Sequence, residues 1–128
     1  MLLSLARSRL GSWLTGWAFA HLSFALPVRR VCETDTLLAF WHPRPLYPVH
    51  ILLVPKKAIT TLDALTPADD VFLLDALRTA HKIAAELGLA ERGCRLLVNG
   101  GAYQEVPQLH FHLIAAVGDC GLQLKVEG

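Results

Sequence analysis

From Pro27 onward the chain alternates short apolar runs with polar or proline-rich breaks. The runs have the length of strands, and the breaks between them carry Pro, Gly, Asp and Asn, which favour turns. The pattern predicts strands over residues 29–33, 36–42, 49–55, 94–99 and 108–117, and a short last strand over 122–126. The chain is therefore expected to build most of its core from a sheet.

One longer segment, residues 66–88, has apolar residues at helical spacing instead. Thr66 is the predicted N-cap, Pro67 takes the first helical position, and Asp69 completes a capping box. Gly88 predicts the end of the helix. The apolar stripe expected to face the core consists of Val71, Leu74, Leu77, Ile83 and Leu87. Strands, one long helix and further strands predict an α+β fold, an antiparallel sheet of about five strands with the helix packed on it.

The N-terminal segment has a different character. Residues 1–16 carry apolar positions at helical spacing and predict a helical extension, with residues 17–128 as one domain. Residues 12–28 contain no charged side chain, and Ala18–Ala20 resembles a signal-peptidase site. The stretch is slightly shorter than the about 20 apolar residues that a spanning helix needs. We expect a helix that packs on the domain or lies on a surface, with membrane anchoring and export as the alternatives.

Composition narrows the class of protein. A chain of 128 residues that is 53% hydrophobic and 18% charged is expected to be globular and to form one domain. Its net charge of +1 gives no electrostatic basis for a nucleic acid partner. The three cysteines are widely spaced and form no CxxC pair, which favours reduced thiols. We therefore expect a cytoplasmic protein, with contact between the N-terminal segment and a membrane surface as an alternative.

Residues 108–113 raise the first chemical question. Side chains alternate between the two faces of a strand, so Gln108, His110 and His112 share one face, and the apolar residues between them share the face that can pack on the helix. Two histidines at this spacing can hold a metal, bind an anion, or lie solvated on an exposed face. The spacing alone leaves these three interpretations open.

Residues upstream complete a wider pattern. His50 opens a run that ends in Pro-Lys-Lys, and the segments "ETDTLLAF", "PLYPVHILLVPKK", "LLVNGG" and "YQEVPQLHFH" follow along the chain. Together, over about residues 17–117, they resemble the histidine-triad (HIT) family of nucleotide-binding hydrolases and transferases, whose motif is His-φ-His-φ-His-φ-φ, with φ an apolar residue. The resemblance implies the HIT-like α+β fold. It also implies a homodimer, with the helix over 66–87 and the "LLVN" strand at the contact.

The resemblance implies roles for the histidines. His110, in the middle of the triad, is the expected nucleophile, which attacks the α-phosphorus of a nucleoside phosphoramidate, anhydride or ester and forms a covalent nucleotidyl-histidine. An unperturbed pKa of about 6.5 leaves much of an imidazole neutral at pH 7, and a backbone carbonyl should hold the other ring nitrogen. His112 is expected to donate to a phosphate oxygen, and His50 to orient the site.

Substrate contacts are implied in the same way. Asn99 and Gln104 correspond to polar positions near the ribose and the leaving-group oxygen of the phosphate. The backbone amides of residues 104–106, which include Glu105 and Val106, correspond to phosphate contacts. The apolar positions expected around the base are Leu26, Phe40 and Leu52.

Three residues depart from the pattern of the family. Gln108 replaces the first triad histidine and can hydrogen-bond but cannot titrate. Glu105 stands where relatives often have a hydroxyl residue, and a carboxylate there would repel an anionic substrate unless it points away or is protonated. His42 stands where relatives usually have an aspartate that accepts from the ribose hydroxyls. The two-cysteine zinc pattern of some relatives is absent, and neither a metal nor a cofactor is expected.

Three functions follow as hypotheses. The leading one is a nucleotide hydrolase or nucleotidyl transferase that acts through His110. The second is a degenerate domain that binds a nucleotide or phosphometabolite without turnover, which Gln108, Glu105 and His42 favour. The third is a metal-dependent protein that uses His50, His110 and His112, although the amide side chains of the phosphate site would then lack a purpose.

Overall fold

The computed structural model describes residues 29–116, in which a five-stranded antiparallel sheet carries a long helix on one face. Counted along the chain, the strands have the order 1-2-3-5-4 in the sheet, so that the fifth strand lies between the third strand and the fourth, which is at the edge. The predicted N-terminal extension, Leu26 and the predicted strand over 122–126 lie outside the described residues. The strands are β1 (Arg30–Glu33), β2 (Leu37–Trp41), β3 (Val49–Pro55), β4 (Arg95–Val98) and β5 (Phe111–Ala115), and the helices are α1 (Asp70–Glu86) and α2 (Leu89–Arg92). This arrangement confirms the predicted fold class.

The two faces of the sheet have different chemistry because side chains alternate along each strand. One face packs against α1 and forms the main core, which includes Leu37, Ile51, Leu53, Leu109 and Leu113. Cross-strand pairing places Phe40 beside Leu52 and Leu52 beside His112, so these three side chains share the opposite face. Gln108, His110 and His112 were predicted to lie on one face, and the residues that alternate with them on the face that packs in the core. The prediction is confirmed for Leu109 and Leu113, which are buried in the core.

The face of α1 that meets the sheet differs from the prediction. The helix packs through Phe72, Ala76, Ala80 and Ile83, whereas Leu77 is 57% exposed. Of the predicted stripe only Ile83 is buried, and Val71, Leu74, Leu77 and Leu87 are exposed. Small alanines let the helix approach the sheet closely, and Phe72 and Ile83 fill the space at either side. A hydrophobic stripe identifies the apolar side of a helix but not which of two apolar sides meets the sheet.

Local hydrogen bonds confirm the predicted start of the helix. The Thr66 hydroxyl accepts from the Ala68 amide, and the Asp69 carboxylate accepts from the Thr66 amide, which completes the capping box. Residues Pro67–Asp69 form a 3₁₀ turn that leads into α1 at Asp70. Lys57, at the end of β3, lies 2.8 Å from Asp69 and fixes the helix start to the sheet.

The last described strand is shorter than predicted. β5 begins at Phe111, because residues 108–110 do not pair in the sheet; the Leu109 amide donates instead to the carbonyl of Ile59 at 2.8 Å. Gln108 and His110 therefore lie on an extended segment just before the strand. Within residues 29–116, no helix has both the length and the apolar character to span a membrane.

Candidate functional site

Four imidazoles of the described chain lie in a row on the face of the sheet opposite α1. Their ring centroids are separated by 4.3 Å between His42 and His50, 5.2 Å between His50 and His112, and 4.7 Å between His112 and His110. Antiparallel pairing explains the arrangement, since Leu52 faces His112 and His50 faces Ile114, which sets His50 diagonally beside His112. Pairing of β3 with β5 thus brings together histidines that are 62 positions apart.

Each imidazole has a defined hydrogen-bond partner. Nδ1 of His110 lies 2.7 Å from the carbonyl oxygen of Gln108, which confirms the predicted backbone carbonyl contact. Nε2 of His50 lies 2.9 Å from Nδ1 of His112. Two backbone amides of the proline-rich loop also donate to ring nitrogens. The Arg44 amide donates to Nδ1 of His42 at 2.9 Å, and the Leu46 amide donates to Nδ1 of His50 at 3.2 Å.

The contact to Gln108 determines which nitrogen of His110 carries the ring proton and which carries the lone pair. A carbonyl oxygen only accepts, so Nδ1 of His110 carries the ring proton and donates it. In the neutral ring the other nitrogen, Nε2, then carries the lone pair. His110 is buried, being 7% exposed, so its orientation is held by packing as well as by this hydrogen bond.

Burial keeps the cluster uncharged. The pKa of His42 and that of His50 are each lowered to about 4, mainly by burial and secondly by repulsion from neighbouring imidazoles. Burial, followed by repulsion from His110, His50 and His42, lowers the pKa of His112 to about 3. The pKa of His110 is lowered by burial, against an opposing effect of the bond to Gln108. All four rings are therefore neutral at pH 7.

This cluster predicts a pH-dependent stability. The pKa values of His42, His50 and His112 lie below their ordinary value of 6.5 in the folded chain, so the unfolded chain binds protons that the fold does not. Stability is therefore highest above about pH 6.5 and falls as the pH falls towards about 4. We expect the midpoint of thermal unfolding to fall by roughly 5 °C between pH 7.5 and pH 5, where carboxylates remain ionised.

A matched variant separates the histidines from other acid effects. Asparagine at position 42 can still accept from an amide two residues on but does not titrate. The fall in midpoint should therefore be smaller in His42→Asn than in the parent chain. Equal midpoints at pH 7.5 and pH 5 in the parent chain would contradict the assignment.

One buried nitrogen of the cluster lacks a hydrogen-bond partner among the described residues. Nε2 of His112 is buried and, among the described side chains, has no hydrogen bond. Buried polar atoms are nearly always paired, so an unpaired one marks a place where a ligand or water is expected. The atom belongs to a ring that is 4.7 Å from the ring of His110.

Known proteins match this chain over most of its length. The HIT domain family matches residues 24–118 of this chain. The chain belongs to the HIT domain family. A HIT-like protein of Synechocystis is 44% identical over 88 residues, which cover 69% of this chain and 75% of that protein. A HIT-like protein of Azospirillum brasilense is 39% identical over 93 residues, 70% of this chain and 76% of that protein.

Solved structures agree on the fold. A HIT family hydrolase from Legionella pneumophila superposes with a TM-score of 0.72 at 34% identity, covering 80% of this chain and 92% of that one. A histidine-triad protein from Clostridium difficile gives 0.73 at 31% identity, covering 88% and 94%. A histidine-triad nucleotide-binding protein from Candida albicans gives 0.67 at 28% identity, covering 86% and 82%.

The remaining described residues that were predicted for the site of this HIT protein lie in three places. Phe40 and Leu52 are fully buried on the histidine face, and Gln108 is buried beside His110 with its amide nitrogen 3.4 Å from the Leu109 carbonyl. Asn99 is partly buried just after β4. The other predicted residues, Gln104, Glu105 and Val106, line a cleft of about 730 Å³ between residues 61–63 and 100–107.

The amide of Gln104 holds this loop together. Its nitrogen donates to the carbonyls of Thr60 at 2.6 Å and Val106 at 2.9 Å, so both amide hydrogens are engaged and only its oxygen is open to a ligand. Glu105 is exposed and Val106 is buried. None of the four imidazoles in the row lines this cleft.

The histidine cluster is arranged for hydrogen bonding between its members. The nearest nitrogens of His50 and His112 face each other at 2.9 Å instead of pointing at a common centre. Among residues 29–116 no group of three or more His, Cys, Asp or Glu side chains is arranged to hold a metal ion.

Sequence reasoning named His42 as a site residue but missed two contributors, the backbone amides of Arg44 and Leu46. The position of His42 was noted as a departure, but its place at the end of the imidazole row depends on the backbone of residues 42–50, where the His42 amide donates to the carbonyl of His50 at 2.8 Å. The amides of Arg44 and Leu46 also hold the rings. The prolines of this loop were evident in the sequence. The hydrogen bonds from its backbone amides could not be predicted, because a backbone amide is the same in every residue except proline.

Proposed function

We propose that this HIT protein is a nucleotide hydrolase or nucleotidyl transferase in which His110 attacks the α-phosphorus of the substrate. The observation that carries the proposal is the bond from Nδ1 of His110 to the Gln108 carbonyl, which leaves a lone pair on Nε2 of a buried, neutral ring. The unpaired Nε2 of His112 on the neighbouring ring supports it, because a phosphate oxygen would satisfy that atom.

The proposed reaction has two steps. Nε2 of His110 forms a bond to phosphorus as the P–N or P–O bond to the leaving group breaks, and the leaving group takes the bonding pair and a proton from solvent. In the second step water, or another acceptor hydroxyl, attacks the same phosphorus and the bond to His110 breaks. The lone pair returns to Nε2, the acceptor loses its proton, and the nucleotide is released.

Relatives support this class of reaction. The Legionella pneumophila structure is that of a HIT family hydrolase, and the Candida albicans structure is that of a nucleotide-binding protein. Gln108 does not interrupt the reaction centre, since its backbone carbonyl, not its side chain, holds His110.

The test is turnover together with a covalent adduct. The protein is incubated with adenosine 5′-phosphoramidate, diadenosine polyphosphate and aminoalkyl adenylates, and AMP release is followed. Intact mass after rapid acid quench is expected to show an AMP adduct, since the nucleotidyl-histidine is the intermediate. Absence of both product and adduct with every substrate would refute the enzyme proposal.

Binding without turnover is the second candidate function. It is favoured by Glu105, an exposed carboxylate in the cleft, and by Gln104, whose amide hydrogens are already engaged. Calorimetric binding of AMP with no product after hours would select this function over the first.

We propose in addition that two copies of the chain form a homodimer through α1 and β4. The helix exposes Val71, Leu74 and Leu77 on its outer side, and β4 is an edge strand that can pair with a second strand. Replacing Leu77 by aspartate should convert the dimer to a monomer, because a carboxylate would be buried in the contact. Light scattering after size-exclusion chromatography measures this, with Leu62→Asp as the control on a different exposed surface. A parent chain that elutes as a monomer at high micromolar concentration would contradict the proposal.

A further inference from the structure

We propose that the backbone amide of Leu46 is a positioning group, which fixes the tautomer of His50 and, through it, that of His112. This inference rests on the proposed function for its purpose, since the result is an N–H of His112 presented to a phosphate oxygen. The hydrogen-bond chain itself is a property of the protein without substrate.

The direction of the chain follows from its first member. A backbone amide can only donate, so Nδ1 of His50, 3.2 Å from the Leu46 nitrogen, must carry a lone pair. In a neutral imidazole the proton is then on Nε2. That nitrogen lies 2.9 Å from Nδ1 of His112 and therefore donates to it. The same reasoning places the proton of His112 on Nε2.

The neutrality that this reasoning needs follows from burial. His50 is buried, and its pKa is lowered to about 4 by desolvation and by His110. The pKa of His112 is lowered to about 3, mainly by desolvation. Both rings hold one proton each at pH 7, so each has one donor and one acceptor nitrogen.

The last group of this series of hydrogen bonds, the Nε2–H of His112, is a donor without a partner among the described residues. Nε2 of His112 is buried and, within the described part of the molecule, unpaired. Its fixed N–H suits an oxyanion and not a cation or a second donor. His110 presents the opposite polarity, because its Nδ1–H is bound to a carbonyl and its Nε2 has the lone pair. Neighbouring rings thus offer one donor to a phosphate oxygen and one lone pair to phosphorus.

The loop around Leu46 is suited to holding an amide in place. Pro45 and Pro48 restrict the backbone on either side, and the ring edge of Tyr47 packs on His50 with centroids 5.5 Å apart. The Leu46 side chain is 81% exposed, so its contribution to the site lies in its backbone. The Arg44 amide holds His42 in the same way.

The experiment reads the tautomers directly. Protein labelled with ¹⁵N-histidine is studied by long-range ¹⁵N–¹H correlation at pH 7.5 without substrate. We expect His50 and His112 as Nε2–H tautomers and His110 as the Nδ1–H tautomer. A parent chain in which His50 or His112 carries its proton on Nδ1 would overturn the proposal, whether or not the protein turns over nucleotides.

A pair of variants tests the role of the amide itself. Leu46→Pro removes the N–H, and Leu46→Ala retains it. The proline variant is expected to show mixed tautomers at His50 and His112 and about a 10-fold loss of AMP affinity by calorimetry, one decade being about 1.4 kcal/mol. The alanine variant is expected to keep both tautomers. Pure Nε2–H signals for both rings in Leu46→Pro would show that the amide is not needed.

A third variant covers the case in which the proline disturbs the loop. His50→Phe changes no residue of the loop; it removes the donor to His112 together with the acceptor of the Leu46 amide. Mixed tautomers at His112 in this variant support the proposal that His50 sets the tautomer of His112. An unchanged Nε2–H signal contradicts it. Failure of the enzyme proposal is a separate result, since it appears as absence of product and adduct while the tautomers of the parent chain are unaffected.

Discussion

Replacing His110 by alanine is expected to lower the turnover of adenosine 5′-phosphoramidate by at least about 1,000-fold and to abolish the AMP adduct, because this residue is the proposed source of the attacking lone pair. Its buried ring is held by the Gln108 carbonyl, and within residues 29–116 no other imidazole of the row is held by a backbone carbonyl in this way. Single-turnover kinetics with mass detection of the adduct measure both effects. His81→Ala, on the exposed surface of α1 and outside the imidazole row, is the control.

The loss must be separated from a loss of structure. His110 lies beside Leu109, which belongs to the main core, so the unfolding midpoint of His110→Ala is measured alongside activity. A folded variant that still releases AMP at more than a tenth of the parent rate would rule out His110 as the nucleophile. An adduct that persists in the variant would point to a different residue.

Replacing Leu53 by alanine is expected to lower the free energy of unfolding by about 2–5 kcal/mol, since a fully buried leucine is replaced by a smaller side chain that leaves a cavity. Leu53 lies in β3 between β2 and β5, and its side chain is 0% exposed in the core shared with α1. Urea unfolding at pH 7.5 and one fixed protein concentration measures the change.

The same substitution on an exposed residue provides the comparison. Leu46→Ala removes an equal amount of side chain from a position that is 81% exposed, and should change the free energy of unfolding by less than about 0.5 kcal/mol. A cost below about 1 kcal/mol at Leu53 would mean that the core relaxes around the cavity or that the sheet does not pack as described.

Short-range patterns predicted much of this fold and part of the site. The capping box at Thr66 was readable because its partners lie three residues apart on the chain. Alternation along residues 108–113 predicted which side chains enter the core, and the structure buries Leu109 and Leu113 there. The middle histidine and its carbonyl partner were predicted from the resemblance to the HIT family, and the partner is the Gln108 carbonyl.

Other features depended on segments that meet only in the folded chain. The orientation of α1 was mispredicted, because the stripe containing Leu74 and Leu77 is as apolar as the side that packs on the sheet. The length of β5 was overestimated, since the contact of Leu109 with Ile59 joins residues far apart in sequence.

The amino-acid sequence by itself determined most of the helix and strand positions and the placing of Gln108, His110 and His112 on one face. The role of His110 as the nucleophile stays a prediction from the HIT pattern. Only the tertiary structure decided that His42 joins the row, that His50 donates to His112, and that the Leu46 amide sets the direction of those bonds. The physical reason is that the periodicity of polar and apolar side chains reports only on the helix or strand that contains them. Tautomers are set instead by backbone groups and rings that other strands and loops bring within about 3 Å.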